Sequence, residues 1–246
     1  MRKRKKVCLL IVEGVSDETA IAIPLDALFK DNPRIKVHVI HGDLTTQPGM
    51  APDNIVRKLG NIVKNYLNVS HLNKTDICMV IQIVDTDGAF IPNSSIQQAP
   101  IDLDDNMLPR YEESCILARN VEKIIERNTK KQENLRRIYV LPTVCGGIPF
   151  KVYYFSCNLD HVIHGDANTV DSKKVNLADK FAEMYQEEPE KFREFLQEKF
   201  PVPCVQEYLP SWTFIEEGVH SLECWSNFSL ALEEIEHQSE ILNDEK

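Results

Sequence analysis

The chain has 246 residues, 43% of them hydrophobic and 27% charged, with 13 prolines and 9 glycines. That length supports a folded domain with a substantial core and excludes a fibrous, largely disordered or disulfide-dependent miniature fold. Against 38 acidic residues stand 28 lysines and arginines, a formal charge of −10 that excludes a globally basic nucleic-acid binder and leaves any polyanion site to a local cluster.

The first basic residues, Arg2 to Lys6, lead into the apolar run 7–12. Glu13 and Asp17 follow too soon for a signal peptide, and the run is far shorter than the roughly 20 residues that cross a bilayer, so a strand is expected and no membrane helix. A continuous Val/Leu/Ile run at 6–13 is the pattern of a strand buried on both faces. Gly14 lets the chain turn, and Ser16 and Asp17 are N-cap candidates for a helix to Phe29. Residues 35–41 read as a second strand. Ile55, Leu59, Ile62 and Leu67 lie at helical spacing and predict a helix over 53–67.

Residues 77–84 form another strand, apolar but for Gln82, ending at Asp85-Thr86-Asp87-Gly88. The stretch 89–110 carries prolines and Asp102, Asp104 and Asp105; a segment of that length inside a compact domain predicts a lid or binding loop. A helix over 111–127 and strands over 136–141 and 151–155 follow. From there the pattern is helical, over 177–187, 191–200 and 228–239, with residues 243–246 expected to fray. Strands alternating with helices imply an α/β fold, a mostly parallel central sheet flanked by helices. The domain division expected is an α/β unit over 1–165, with its long loop at 89–110, and a helical C-terminal extension over 166–246 packed on the same core. Seven scattered cysteines without CxxC spacing predict reduced thiols and a cytoplasmic location.

In an open parallel sheet, ligands bind beyond the carboxyl ends of the strands. Both strongest strands end there in acids, Glu13-Gly14 and Asp85-Thr86-Asp87-Gly88. Asp85 and Asp87, two residues apart, point the same way if the extended backbone persists. Convergent carboxylates suit a hard divalent cation. Other constellations carry less. Cys157, His161 and His164 lack a fourth zinc ligand; Asp102, Asp104 and Asp105 lack the glycine and bidentate acid of a calcium loop; Cys145-Gly146-Gly147 has no histidine partner and reads as a turn. Trp212, Phe214, Trp225 and Phe228 are read as sealing the C-terminal helices onto the core.

The segments Leu9-Leu-Ile-Val-Glu13-Gly14-Val-Ser16-Asp17 and Ile81-Gln-Ile-Val-Asp85-Thr-Asp87-Gly88 together resemble the Toprim family, shared by topoisomerases, bacterial primases and nucleases of the overcoming-lysogenization-defect group. The likeness covers roughly the first 160 residues and looks most like the small bacterial nuclease and abortive-infection branch. It implies a Toprim-like, Rossmann-like topology. It assigns Glu13 to general acid or base work and Asp85 and Asp87, with Glu13, to Mg²⁺ or Mn²⁺. The stretch Tyr154-Phe-Ser-Cys157-Asn158-Leu-Asp160-His161 is similar to a later serine, asparagine and acid motif, with Asp160 where a glutamate is usual. Without a tyrosine domain, zinc ribbon or phosphate loop, topoisomerase and primase activities are disfavoured.

The expectation is therefore a metal-dependent nuclease on DNA or RNA, acting in phage defence or a mobile element, with catalytic residues Glu13, Asp85, Asp87 and Asp160. Lys6 and Arg136 or Arg137 are expected at its rim. Any ATPase partner would be a separate chain, and a homo-oligomer is compatible. The alternative is a non-catalytic Toprim-like module that binds a partner ATPase or nucleic acid.

Overall fold

The computed structural model describes residues 4–42 and 52–244. Arg2 and Lys3 of the basic lead-in, and the last two residues of the stretch expected to fray, lie outside them. Strands β1 (Lys6–Val12), β2 (Ile35–His41), β3 (Ile77–Asp85), β7 (Thr143–Val144) and β8 (Ile148–Phe155) form one sheet in the order β2-β1-β3-β8-β7. The first four in that order are parallel and β7 is antiparallel to β8, so the α/β class with a mostly parallel sheet holds. β1 and β3 lie inside the sheet and are apolar almost throughout because both faces are covered; β2, at an edge, alternates buried and exposed residues.

Leu10 and Val12 of β1 pack with helices α1 (Val15–Phe29), α5 (Asp171–Gln186), α6 (Pro189–Glu198) and α8 (Ser229–Asp244), through Ile21, Phe181, Phe192 and Ile235 among others. Leu9 and Ile11 face the opposite layer of α2 (Pro52–Val69), α3 (Val121–Ile138) and α7 (Tyr208–Ile215), which contributes Leu59, Leu135 and Trp212. No helix among the described residues is long and apolar enough to cross a membrane.

Two expectations fail around α3. Residues 111–127 are not one helix: β5 (Arg110–Tyr111) and β6 (Ile116–Ala118) come first, and Asn120 then caps α3 by accepting from the Lys123 amide at 2.9 Å. Residues 136–141 are not a strand, because α3 continues to Ile138 and Tyr139 then stacks on Trp212 with ring centroids 4.5 Å apart. The buried face of α3 reads Ile124, Asn128, Lys131, Asn134, Leu135 and Ile138. Its periodicity is helical, but polar residues inside it disguise the apolar stripe.

The expected loop at 89–110 is partly ordered. β4 (Ile96–Gln98), β6 and β5 make a three-stranded sheet over Ile91, Ile116, Ile124 and Leu222. Arg119 fastens it, donating to the carbonyls of Ala99 at 3.2 Å and Pro100 at 2.6 Å and to Asp105 at 2.6 Å. Arg119→Ala is expected to lower the free energy of local opening by about 1–3 kcal/mol. Faster proteolytic nicking within 99–107, with little change in the global melting temperature, is the readout.

β7 covers only the start of β8, and the remaining edge is closed by side chains and by the chain's last third. Tyr208 Oη accepts from the Val152 amide at 3.2 Å, Asn227 Oδ1 from the Tyr154 amide at 2.8 Å, and the Trp225 carbonyl from the Ser156 amide at 2.7 Å. This satisfies donors that a bare edge would leave unpaired. Asn227→Ala orphans the buried Tyr154 amide and is expected to cost about 1–3 kcal/mol in urea unfolding.

Candidate functional site

Glu13 leaves the carboxyl end of β1, and Gly14 begins α1 with its amide donating to Asp17 Oδ2 at 2.9 Å. Asp85 ends β3. Beyond it the strand pairing runs out irregularly, with the Thr86 amide donating to the Phe155 carbonyl at 3.1 Å and the Asp87 amide to the Cys157 carbonyl at 2.7 Å. The extended backbone does not persist: Asp87 and Gly88 both take left-handed conformations, at φ 49° and 61°. A Cβ at Gly88 would lie 2.5 Å from Leu222 Cδ2, so this turn requires glycine. The two aspartates are therefore held separately, not by strand alternation. Asp85 Oδ1 accepts from the Leu159 amide at 3.0 Å, at the start of α4 (Leu159–His164), while the Asp87 carboxylate pairs with Lys131.

All four expected site residues, Glu13, Asp85, Asp87 and Asp160, line one cleft of about 640 Å³, with Asp17, Asp171 and Lys174. The opposite wall is Asn106, Met107, Leu108, Pro109 and Tyr111 from the insertion, so the long loop does border the site. Tyr111 and Asn168 join this wall to the α4–α5 connection through a reciprocal pair: the Tyr111 amide donates to Asn168 Oδ1 at 2.9 Å, and Asn168 Nδ2 donates to the Tyr111 carbonyl at 2.8 Å. Asn158 also lines the cleft and caps α4, accepting from the His161 amide at 2.9 Å. Ser156 of the same motif is turned away, donating to the His220 carbonyl at 2.7 Å.

Lys131, only 1% exposed, reaches from α3 to Asp87 and stands 3.9 Å from Glu13. Arg127, one turn earlier, donates to the Asp87 carbonyl at 2.9 Å and to Tyr111 Oη at 3.1 Å. These cations divide the acids into two kinds. Burial pushes Asp85 well above the usual carboxylate range, and the neighbouring Asp17, Glu13 and Asp87 push it further against the pull of Lys131. Burial also raises Asp17, and it lifts Asp160 to about 6 although Lys174 opposes it. Asp87 is buried too, yet Lys131 and Arg127 outweigh desolvation and hold it below the ordinary value. Lys131 is raised in turn, because Asp87, Glu13 and Asp85 overcome its own burial.

The donor set fits a hard divalent cation: carboxylate oxygens from Glu13, Asp85 and Asp87 in one recess, with Asp85 the acid most in need of positive charge. As the side chains stand, no three Asp, Glu, His or Cys residues among the described ones are grouped tightly enough to enclose an ion. The expected basic rim is elsewhere. Lys6 begins β1 and so lies at the opposite end of the strands; Arg136 pairs with Glu216 at 2.8 Å; neither they nor Arg137 line the cleft. The cations serving the site are Lys131, Arg127 and Lys174. The signal for Lys131 was legible as Asn128 and Lys131 recurring at the helical spacing of Ile124 and Leu135, polar residues on a core-facing stripe; Arg127 had none.

Of the remaining sequence candidates, Trp212 and Phe228 are buried in the core, while Phe214 stacks on His220 with centroids 3.9 Å apart. All seven cysteines are free. Comparison with protein-family models, with curated proteins and with solved structures finds no match.

Proposed function

We propose that the chain is a divalent-metal-dependent nuclease that hydrolyses phosphodiester bonds of DNA or RNA. The observation that carries this reading is the meeting, in one cleft, of acids from the carboxyl ends of two adjacent parallel strands, Glu13 from β1 and Asp85 with Asp87 from β3. Asp85 with Glu13 and Asp87 would hold Mg²⁺ or Mn²⁺, which when bound supplies Lewis-acid stabilisation of the attacking and leaving oxygens. The Toprim resemblance gives Glu13 the role of taking a proton from an attacking water, and it lines the same cleft. Lys131 keeps Asp87 ionised and fixes its direction, and Arg127 holds the backbone of the same turn. Asp160 and Lys174 form the outer wall, with Lys174 the cation facing an incoming phosphate. The Toprim resemblance supports the same assignment and points to a cytoplasmic role in phage defence or a mobile element, with any ATPase on a separate chain.

A second reading, a non-catalytic Toprim-like binding module, is favoured by one feature: Lys131 already neutralises part of the acid cluster, so the cleft can stand without an ion. The deciding experiment incubates supercoiled plasmid, single-stranded DNA and total tRNA with Mg²⁺ or Mn²⁺, comparing the parent with Glu13→Ala and Asp85→Ala. The nuclease reading expects metal-dependent cutting by the parent and loss in both variants. Cutting retained by both would dismiss this site, and no cutting by the parent would favour the module.

A further inference from the structure

The end of the strands opposite the acid cleft carries a row of basic side chains, with Asp31 and Asp76 as the acids in the same segments. Arg4 and Lys5 precede β1, Lys30 ends α1, Arg34 and Lys36 flank the start of β2, and Lys74 precedes β3. The pairing of these segments brings the residues together: the Lys6 amide donates to the Arg34 carbonyl at 2.8 Å, Lys5 Nζ to the Lys30 carbonyl at 3.4 Å, and Val7 is in register with both Lys36 and Ile77. Lys74 Nζ reaches the β7–β8 hairpin, 3.4 Å from where a Cβ of Gly146 would stand, so the row crosses the whole sheet. Neighbouring strands lie about 4.8 Å apart, which makes it about 20 Å long.

Elsewhere on the chain Arg110, Arg119, Arg136, Lys151 and Arg193 each pair with a carboxylate, while Lys64, Lys123, Lys130 and Arg137 form no ion pair among the described residues, so what sets this row apart is its concentration at one end of the strands. In this row only Arg4 does, with Asp76 at 4.0 Å, and Lys5, Lys30, Arg34, Lys36 and Lys74 form no ion pair among the described residues. On a chain of net charge −10 such a segregated row is a local electrostatic feature that the global charge conceals.

We infer that this end of the sheet is a binding surface for the phosphodiester backbone of a nucleic acid, separate from the acid cleft. The row is linear, as a polynucleotide strand is. None of the large exposed hydrophobics among the described residues is aromatic, so the side chains that anchor proteins at a lipid interface are missing from it. The surface extends beyond the nuclease reading and does not depend on it, because occupancy is measured without hydrolysis.

The test is fluorescence anisotropy of a labelled single-stranded DNA, and of its RNA counterpart, with the full chain in EDTA across a salt series. The parent is expected to bind with log affinity falling linearly in log salt. Lys30→Glu with Lys74→Glu, both exposed and outside the strands, should weaken binding about tenfold or more and shallow the slope by about 0.7 for each phosphate no longer neutralised. Arg34→Glu with Lys36→Glu should do the same, checked by thermal melting for retained fold. The exposed pair Lys123→Glu with Lys180→Glu, matched in charge change, should have little effect. Absence of salt-dependent binding, equal weakening in the control pair, or preferential sedimentation with phosphatidylserine vesicles would each overturn the assignment.

Discussion

On the nuclease reading, Asp85→Asn is expected to lower metal-dependent cleavage by about two to three orders of magnitude, the scale of removing one dominant electrostatic stabiliser, while raising the melting temperature of the metal-free chain. Asparagine keeps Oδ1 as an acceptor for the Leu159 amide, so the substitution removes charge and little else. Asp85 is the acid whose ionised form the fold disfavours, through burial first and then through Asp17, Glu13 and Asp87. A carboxyl raised on folding binds its proton more tightly in the native state. Stability is therefore highest when it is protonated and is lost as pH rises from the unfolded value, about 3.9, through the folded one. The gain from Asp85→Asn should accordingly be small in acid and grow toward neutral pH. Divalent cation should stabilise the parent by binding linkage and the variant much less. A variant that melts lower than the parent at neutral pH, or that still cuts, would contradict the assignment.

Lys131→Met is expected to destabilise the chain by about 3–5 kcal/mol, the range found when one partner of a buried ion pair is removed and the other left uncompensated. Methionine preserves much of the volume, so the loss reports charge and not a cavity. Asp87, held low by Lys131 and Arg127, contributes stability that is present above its unfolded value and lost as pH falls through its folded one. Without Lys131 that contribution shrinks and the acids near Asp87 repel without relief. Urea unfolding should show the gap between variant and parent widest near neutral pH and narrowing on acidification, as the carboxyls protonate. A pH-independent gap would assign the loss to packing.

The parts of this protein legible in the sequence are those where one local signal sufficed. The apolar runs at 7–12 and, interrupted only by Gln82, at 77–84 marked interior strands, and the acids that end them marked the cleft. What failed was local pattern overridden by tertiary need. In α3 the core-facing stripe carries Lys131 as counter-ion to the cleft acids, Asn128 as donor to the Gly88 carbonyl, and Asn134, so the apolar stripe is broken and Arg136-Arg137-Ile138-Tyr139-Val140-Leu141 looked like a strand by composition. The Asp85 and Asp87 side chains were expected to align by strand alternation; the left-handed turn at Asp87 and Gly88 breaks that alternation, and only the partners Leu159 and Lys131 fix each direction. Lys6 was misassigned to the rim although its place was legible: it begins the first strand, at the amino end, while the acids mark the carboxyl ends.

The turn that holds Asp87 is braced by the last part of the chain. Thr86 Oγ1 donates to the Ser221 carbonyl at 2.8 Å, the Phe90 amide to Ser221 Oγ at 3.2 Å and the Cys157 amide to the Ser221 carbonyl at 3.0 Å. During synthesis from the ribosome, residues 1–165 therefore emerge with every acid of the inner cleft but without the brace that sets them. Leu159 and Lys131 are already present to hold Asp85 and Asp87, but the brace on their turn forms only after Ser221 has left the exit tunnel and docked. On the nuclease reading, a growing chain is thus kept from acting on nearby RNA, its own template included, until residues 221–227 have been made and docked.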